Sequence, residues 1–459
     1  MAGLFDSLSA VSSALDAQSM GLGVTGQNLA NVNTPGYSRR TLLLAQAPPT
    51  GPNGTGGGVV VQGVQALRDE YIQARLDAET ETGSYDGARA TQLASVSAAL
   101  GTPGASLDAS LTSYFNAFTA LAQDPTSTVN RDAVVQQGQA LAQAFNGMSG
   151  RLSAAGQAAD TAARADVDQI NTLIGEVAKL NGQISGANGS NVEALKDQRA
   201  VDITQLSSLI GAKAIPSSDG SIGLTVGAGH AIVVGDTGYP ISVGSTPAGQ
   251  ATFTLQDVDI TSQLTAGDVG GQLDVRSTLV PGYLSQLDQL AYSVATQVNT
   301  IHKAGFGQSG STNQNFFTPL ASATGAAAAL AVDPTLAANS SLVAASSTGT
   351  AGDNQTAQAI ANLQSTGFVG AGSATPANAW GQLVYNVGAD TASAQSAQSS
   401  QQQVITQLTQ LRDSVSKVST DDEAAAMMKY QQAYQANARY FTAIVETLDV
   451  LMTMVTAVP

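Results

Sequence analysis

Two segments whose apolar residues recur every three to four positions stand at the opposite ends of this chain, and the first of them is poorly built to exist alone. In it, Leu4, Leu8, Val11 and Leu15 continue through Leu22, Leu29 and Val32, with Gln18 and Thr25 at the two skipped steps. The second runs Tyr430, Tyr434, Asn437, Phe441, Ile444, Leu448, Leu451 and Val455 without a break. A four-three repeat of this kind lays one stripe along a helix, a heptad seam. Gly21, Gly23 and Gly26 each cost about 1 kcal/mol relative to Ala inside a helix, and helix nucleation is unfavourable, so the first segment needs a partner. Either seam alone also fits an ordinary amphipathic core helix. Two of them at the extreme termini, the first charged only at Asp6 and Asp16 before Arg39, predict paired terminal coiled-coil helices used for assembly and paired only in the assembled state. At the second, Thr420 followed by Asp421, Asp422 and Glu423 predicts a capping box.

Between the ends, 459 residues are too many for one ordinary core, and two to four domains of about 100–200 residues follow. Residues from about 64 to 210 are helical in pattern, with Val167, Ile170, Ile174, Val177 and Ile184 as a clear seam. From 212 the signal changes to short β-branched runs between turns, such as "HAIVV" and "ATFTLQDVDI". Val280, Leu284, Leu287, Val294, Val298 and Ile301 mark a helix, and small-residue stretches with strand-like pieces ("AALAVDPTL") lead to a last long helix with Val404, Leu408, Leu411, Val415 and Val418. The expected fold is mainly α with a β-rich insert, in nested order. Residues 1–36 plus 419–459 form a terminal helical assembly domain. Residues 37–211 plus 376–418 form a long-helix bundle domain, and 212–375 an outer β-rich insert with a helix near 273–304.

Composition narrows what such a fold does. Only 11% of residues are charged and 5% aromatic, which makes smooth helical surfaces suited to lateral packing of identical copies. The net charge of −16 repels phosphate backbones and anionic headgroups, so neither nucleic acid nor a membrane surface is an expected partner. With no cysteine there is no thiolate metal site. His230 and His302 are far apart on segments of different type, no Gly-Lys dipeptide or Gly-x-Ser-x-Gly elbow exists, and Asp257 and Asp259, alternating on an expected strand, lack the further oxygen ligands of a calcium loop. No catalytic, cofactor-binding or metal site is expected. The N-terminus lacks the basic region and apolar run of a Sec signal, and no stretch has the roughly 18 apolar residues of a membrane span.

The stretch "NLANVNTPGYSRR" after the first seam is the densest in turn chemistry. Thr34, preceding proline, is pushed to an extended conformation, and Pro35-Gly36 matches the centre of a type II turn. Asn31 and Asn33 can cap the carbonyls of the ending helix or visit the left-handed region. Tyr37 adds a ring with a polar tip, and Arg39 and Arg40 are the first positive charges in the chain. The stretch is either a rigid helix stop or a fixed elbow that aims the assembly helix at its neighbours.

That stretch closely resembles the signature following the N-terminal helix of bacterial flagellar axial proteins, the rod, hook and hook-associated family. "DPTSTVNRDAVVQQGQALAQAF", "GFGQSGSTNQNFF" and "DDEAAAMMKYQQAYQANARYFTAIVETLDVLMTMV" extend the resemblance over most of the chain, with "YSRR" most similar to the hook–filament junction branch. The resemblance implies a structural role without catalysis or cofactor: a homo-oligomer polymerised at the distal end of the hook, allowing filament attachment. It implies as partners the flagellar hook protein, the second hook–filament junction protein, and an export chaperone reading the C-terminal seam. It places the protein outside the cell, exported by the flagellar type III apparatus without a Sec signal. The alternatives are another axial protein, such as hook or rod protein, and a secreted enzyme with coiled-coil tails.

Overall fold

The structure, a computed structural model, describes residues 2–48, 57–101, 107–186, 191–370 and 372–456. It is mostly helical. Helix α1 (Ala2–Ala30) is followed by a two-stranded antiparallel hairpin, β1 (Arg40–Gln46) on β2 (Val59–Ala66), with a bulge at Leu43/Leu44. Asp69 then accepts from the amides of Tyr71 and Ile72 and opens α2 (Glu70–Leu100), so the helical stretch expected from about residue 64 starts only after β2 has ended. Helix α3 (Leu107–Gln123) stops at the Asp124-Pro125 turn. Ser127 accepts from the Asn130 amide at 3.2 Å and starts α4 (Thr128–Gly186), whose 59 residues make a rod about 90 Å long. Helix α5 (Asn191–Ile210) folds back along it.

The strands form two antiparallel sheets. One is the meander β3 (Lys213–Pro216), β4 (Ile222–Val226), β5 (His230–Val234), β6 (Thr237–Gly238); the other is β7 (Ile241–Ser245), β8 (Ala251–Leu255), β9 (Val258–Asp259). Asp257 sits at φ 64° in the β8–β9 turn, off the strand, so it shares no strand face with Asp259. Helix α6 (Gly267–Asp274) runs through a π-helical turn at Val275–Leu279 into α7 (Val280–Ala304). The short helices α8 (Ala326–Ala329), α9 (Pro334–Ala338) and α10 (Gln355–Asn362) punctuate the next segment. Thr375 and Pro376 cap α11 (Pro376–Ser416), and α12 (Thr420–Thr456) ends the described chain.

Two apolar cores share α4. The first gathers α2, α3, the N-terminal half of α4, α7 and the start of α11 around Tyr114, Phe118, Phe316 and Phe317, whose rings meet mostly edge-on. The second packs both sheets on the C-terminal half of α4, with Val167, Ile170, Ile174, Val177 and Phe253 buried. The expected β-rich insert over 212–375 is therefore too wide. Strands end at Asp259, and residues 316–369 make only isolated bridges, because their Phe, Ala and Val side chains are drawn into the first core against α3, α4 and α7. The "AALAVDPTL" piece is correspondingly α8 and α9, separated by one bridge of Val332 to Phe317. Along α11, Leu408 is buried but Leu411 and Val415 are 51% and 42% exposed; the side facing α2 is carried by Gln401, Ile405 and Leu408.

Candidate functional site

Helices α1 and α12 pack along each other within a single chain. Three contacts give their sense: Asn28 with Glu423, Gly21 with Tyr430, and Gln18 with Asn437, whose Nδ2 donates at 3.2 Å. The pair is antiparallel. A Cβ at Gly21 would stand 2.5 Å from the Tyr430 ring, so the glycine that weakens α1 is also what admits the ring. Pairing is thus available without an assembly, where helix propensity alone argued that it was not.

On α12 the side toward α1 carries Tyr430, Asn437, Phe441, Leu448 and Leu451, all half-buried, and Ile444, which is buried; Tyr434 is 40% exposed. The Val455 side chain lies outside the described residues. On α1, Val11 is buried and Leu4, Leu8, Leu15 and Leu22 are half-buried, but Leu29 is 38% exposed and Val32 lies beyond the helix in the turn. The most buried positions there are instead Val11, Ala17, Val24, Thr25 and Asn28. Apolar spacing could not find this line, since two of its members are polar and pair with specific groups.

Asn28 is the centre of the site. Only 1% exposed, it accepts at Oδ1 from the Tyr37 hydroxyl and the Arg40 amide, both at 2.9 Å, and donates from Nδ2 to the Arg40 carbonyl at 2.9 Å and to Glu423 at 3.1 Å. All four capacities of the amide side chain are used. Glu423 does not reach back to close a capping box. Ser419 caps α12, accepting from the Asp422 amide, while the Glu423 carboxylate is buried against Arg39 Nε at 2.7 Å and Asn28. The buried ion pair outweighs a solvent-facing cap bond.

The turn before it has the geometry its residues require. The Tyr37 amide donates to the Thr34 carbonyl at 3.2 Å, and Gly36 takes φ 76° with Val201 of α5 close enough that any Cβ would stand 2.4 Å from its Cγ2. Asn31 Nδ2 caps the Gln27 carbonyl and Thr34 donates to Asn31 Oδ1; Asn33, Thr34, Pro35 and Gly36 lie at the surface. Beyond it the chain is clamped on every side. The Arg39 amide donates to the Ser416 carbonyl at the end of α11, and its carbonyl accepts from the Leu67 amide. Arg40 lies over the Tyr37 ring at 4.8 Å and reaches Asp197 of α5, which also accepts from Arg68 at 2.7 Å; Arg68 in turn pairs with Glu193. Burial, with Asp197 and Glu423 adding to it and Arg40 opposing, raises the Tyr37 phenol above its usual range, so it remains a donor. Five segments distant in sequence meet here: the ends of α1 and α11, the start of α12, the approach to α2, and α5. Asp197, Glu193, Arg68 and Val201 carry no local motif that would have marked them.

The histidines play structural parts. His302 is buried, its Nδ1 against the Gln314 carbonyl and its Nε2 accepting from the Ala344 amide, and burial holds its pKa down to about 4. Among the described residues no cluster of three or more His, Asp or Glu is placed to hold a metal ion, and no helix is long and apolar enough to cross a membrane.

Comparison with known proteins meets this geometry at the same elements. A model of flagella basal body rod proteins matches residues 8–37, which are α1 and the turn, and one of the C-terminal region of the flagellar basal body rod FlgEFG proteins matches 409–454, the end of α11 with α12. The model of the helical domain of flagellar hook-associated protein FlgK matches 93–317, the trunk with both cores. Flagellar hook-associated protein 1 of Escherichia coli K12 is 27% identical over 96% of this chain and 98% of its own length, and that of Bacillus subtilis 168 is 26% identical over 98% of each. The solved flagellar hook junction protein FlgK from Burkholderia pseudomallei has the same fold over 74% of this chain and all of that one, with a TM-score of 0.67 at 17% identity. Full-length relatives, a hook-associated trunk and rod-type terminal elements joined at one elbow agree: the chain belongs to the flagellar hook-associated protein 1 family.

Proposed function

We propose that this protein is a structural part of the bacterial flagellum, polymerising at the distal end of the hook to form the hook–filament junction and to allow filament attachment. One observation supports this most: the two terminal segments that match rod-type models form a pair whose direction is set by the elbow hub on a trunk that matches the hook-associated helical domain. In this reading the pair is the inner assembly element, the α-helical trunk surrounds it, and the sheets of 213–259 lie outermost. The chain's neighbours are its own copies, the flagellar hook protein and the second junction protein, and its place is outside the cell, reached by flagellar export. An export chaperone takes the α12 seam at Phe441, Ile444, Leu448 and Leu451 before α1 covers it, as an amphipathic helix occupies a groove. The hook or rod protein alternative is disfavoured by the helical trunk.

The test is complementation. Cells lacking the gene should carry hooks without filaments and shed flagellin, and the wild-type chain should restore swimming. Gly36→Val should not, because a β-branched residue at φ 76° meets Val201 at once, a strain of about 1–3 kcal/mol placed at the elbow. The purified variant's trunk should melt normally. Filaments on cells lacking the gene would remove the junction role; swimming supported by Gly36→Val would remove the elbow's part in it.

A further inference from the structure

The chain has no cysteine, so its oxidisable sulfur is methionine alone, and its seven methionines are unevenly placed. Met148 is 0% exposed in the first core. Five others sit on the terminal pair, and of these Met20 on α1 and Met428, Met452 and Met454 on α12 are 53%, 58%, 66% and 63% exposed, with Met427 half-buried. At about 100° per residue, Met428, Val450 and Met454 fall together on the side of α12 opposite Tyr430, Phe441 and Ile444. The outward face of the pair is thus rich in flexible thioethers. A sulfoxide turns each into a polar, chiral group that such a face cannot pack.

We propose that these four methionines are a peroxide-modification site by which oxidation of the unassembled chain blocks its self-association; this rests on the assembly role proposed above. The oxidant is hydrogen peroxide. A sulfur lone pair attacks one peroxide oxygen, the S–O bond forms as the O–O bond breaks, and the departing hydroxide takes the proton of the transferred OH and leaves as water. Sulfur loses two electrons and peroxide gains them. Assembly, by covering the face, protects the same sulfurs, so the device acts on chains still free.

The experiment treats the purified full-length chain with hydrogen peroxide, maps sulfoxides by peptide mass spectrometry, and follows self-association by light scattering with the trunk's melting as a fold control. Sulfoxide should accumulate at Met20, Met428, Met452 and Met454 at least tenfold faster than at Met148. Association should fall at least tenfold with trunk melting unchanged, and methionine sulfoxide reductases acting on both epimers should restore it. The variant with Met20→Leu, Met428→Leu, Met452→Leu and Met454→Leu, measured against its own untreated baseline, should not respond to peroxide. Equal oxidation of Met148, or undiminished association of the fully sulfoxidised chain, overturns the inference while leaving the assembly role in place. An untreated chain that never associates removes the assembly role and the inference together.

Discussion

Replacing Asn28 with Ala should unlatch the terminal pair and leave the rest of the molecule intact. The side chain makes four hydrogen bonds, and their loss is unequal. The Tyr37 hydroxyl is half-buried and can turn to water, and Glu423 keeps Arg39. The Arg40 amide and carbonyl cannot, because Arg40 is only 8% exposed, and an unsatisfied buried polar group costs about 1–3 kcal/mol. A total near 3 kcal/mol follows, on the order of a 100-fold change in an opening equilibrium. That cost is local, since neither apolar core takes a residue from α1, the elbow or α12. Hydrogen exchange read by mass spectrometry should therefore show about 100-fold less protection across Ala2–Ala30, with the trunk's melting temperature unmoved. Asn28→Asp, nearly the same shape, should be as harmful at neutral pH because it sets a carboxylate against Glu423 and the Arg40 carbonyl. Protection of α1 unchanged in Asn28→Ala, or a trunk that melts lower with it, would refute the reasoning.

Other positions discriminate equally well. Gly21→Ala should weaken the α1–α12 pair by about 1–3 kcal/mol, its Cβ standing 2.5 Å from Tyr430, whereas Gly23→Ala, with nothing within 4 Å, should strengthen α1 by up to about 1 kcal/mol; helicity and exchange of the two variants should move in opposite directions. Asp160 of α4 binds Arg276 at 2.6 Å, Arg164 at 2.9 Å and the Ala251 amide at 2.8 Å; Asp160→Ala strands the buried Arg276 and should cost about 3 kcal/mol, seen as faster exchange of Ala251 and Phe253. Burial pushes that carboxyl up, but the hydrogen bonds from Arg164, Arg276 and Ala251 outweigh it and hold it below its usual value, so its contribution is present at neutral pH and lost in acid. Asp202 behaves oppositely. Buried on α5 with one oxygen unpartnered and Glu176 nearby, its carboxyl is pushed up to about 6, so its contribution is complete below the ordinary carboxylate range and lost as pH rises through 6. Melting temperature should rise between pH 7 and pH 5, and Asp202→Asn should flatten that rise and stabilise the protein at pH 7 by on the order of 1–2 kcal/mol; an unaltered pH profile would show that Asp202 is not the group responsible.

The sequence by itself determined whatever depends on neighbours along the chain. Periodicity located α1, α7 and α12, because a helix buries residues three and four apart whatever it packs on. Pro35-Gly36 specified the turn before any partner was known, since φ preferences are local. The switch to short strands near residue 212 was legible for the same reason, but its end at 259 was not: alanines and valines in 316–369 read alike whether they line a sheet or fill a helical core, and only the first core's cavity among α3, α4 and α7 decided it. Tertiary structure alone decided the hub. Glu423 in its local context is a helix-capping acid and Asn28 a polar interruption of a seam. Their roles appear only once α1 and α12 lie antiparallel and bring Arg39, Arg40 and Asp197 within reach, because a buried charge is placed by the charges that fold around it, and these come from residues up to 395 apart in sequence.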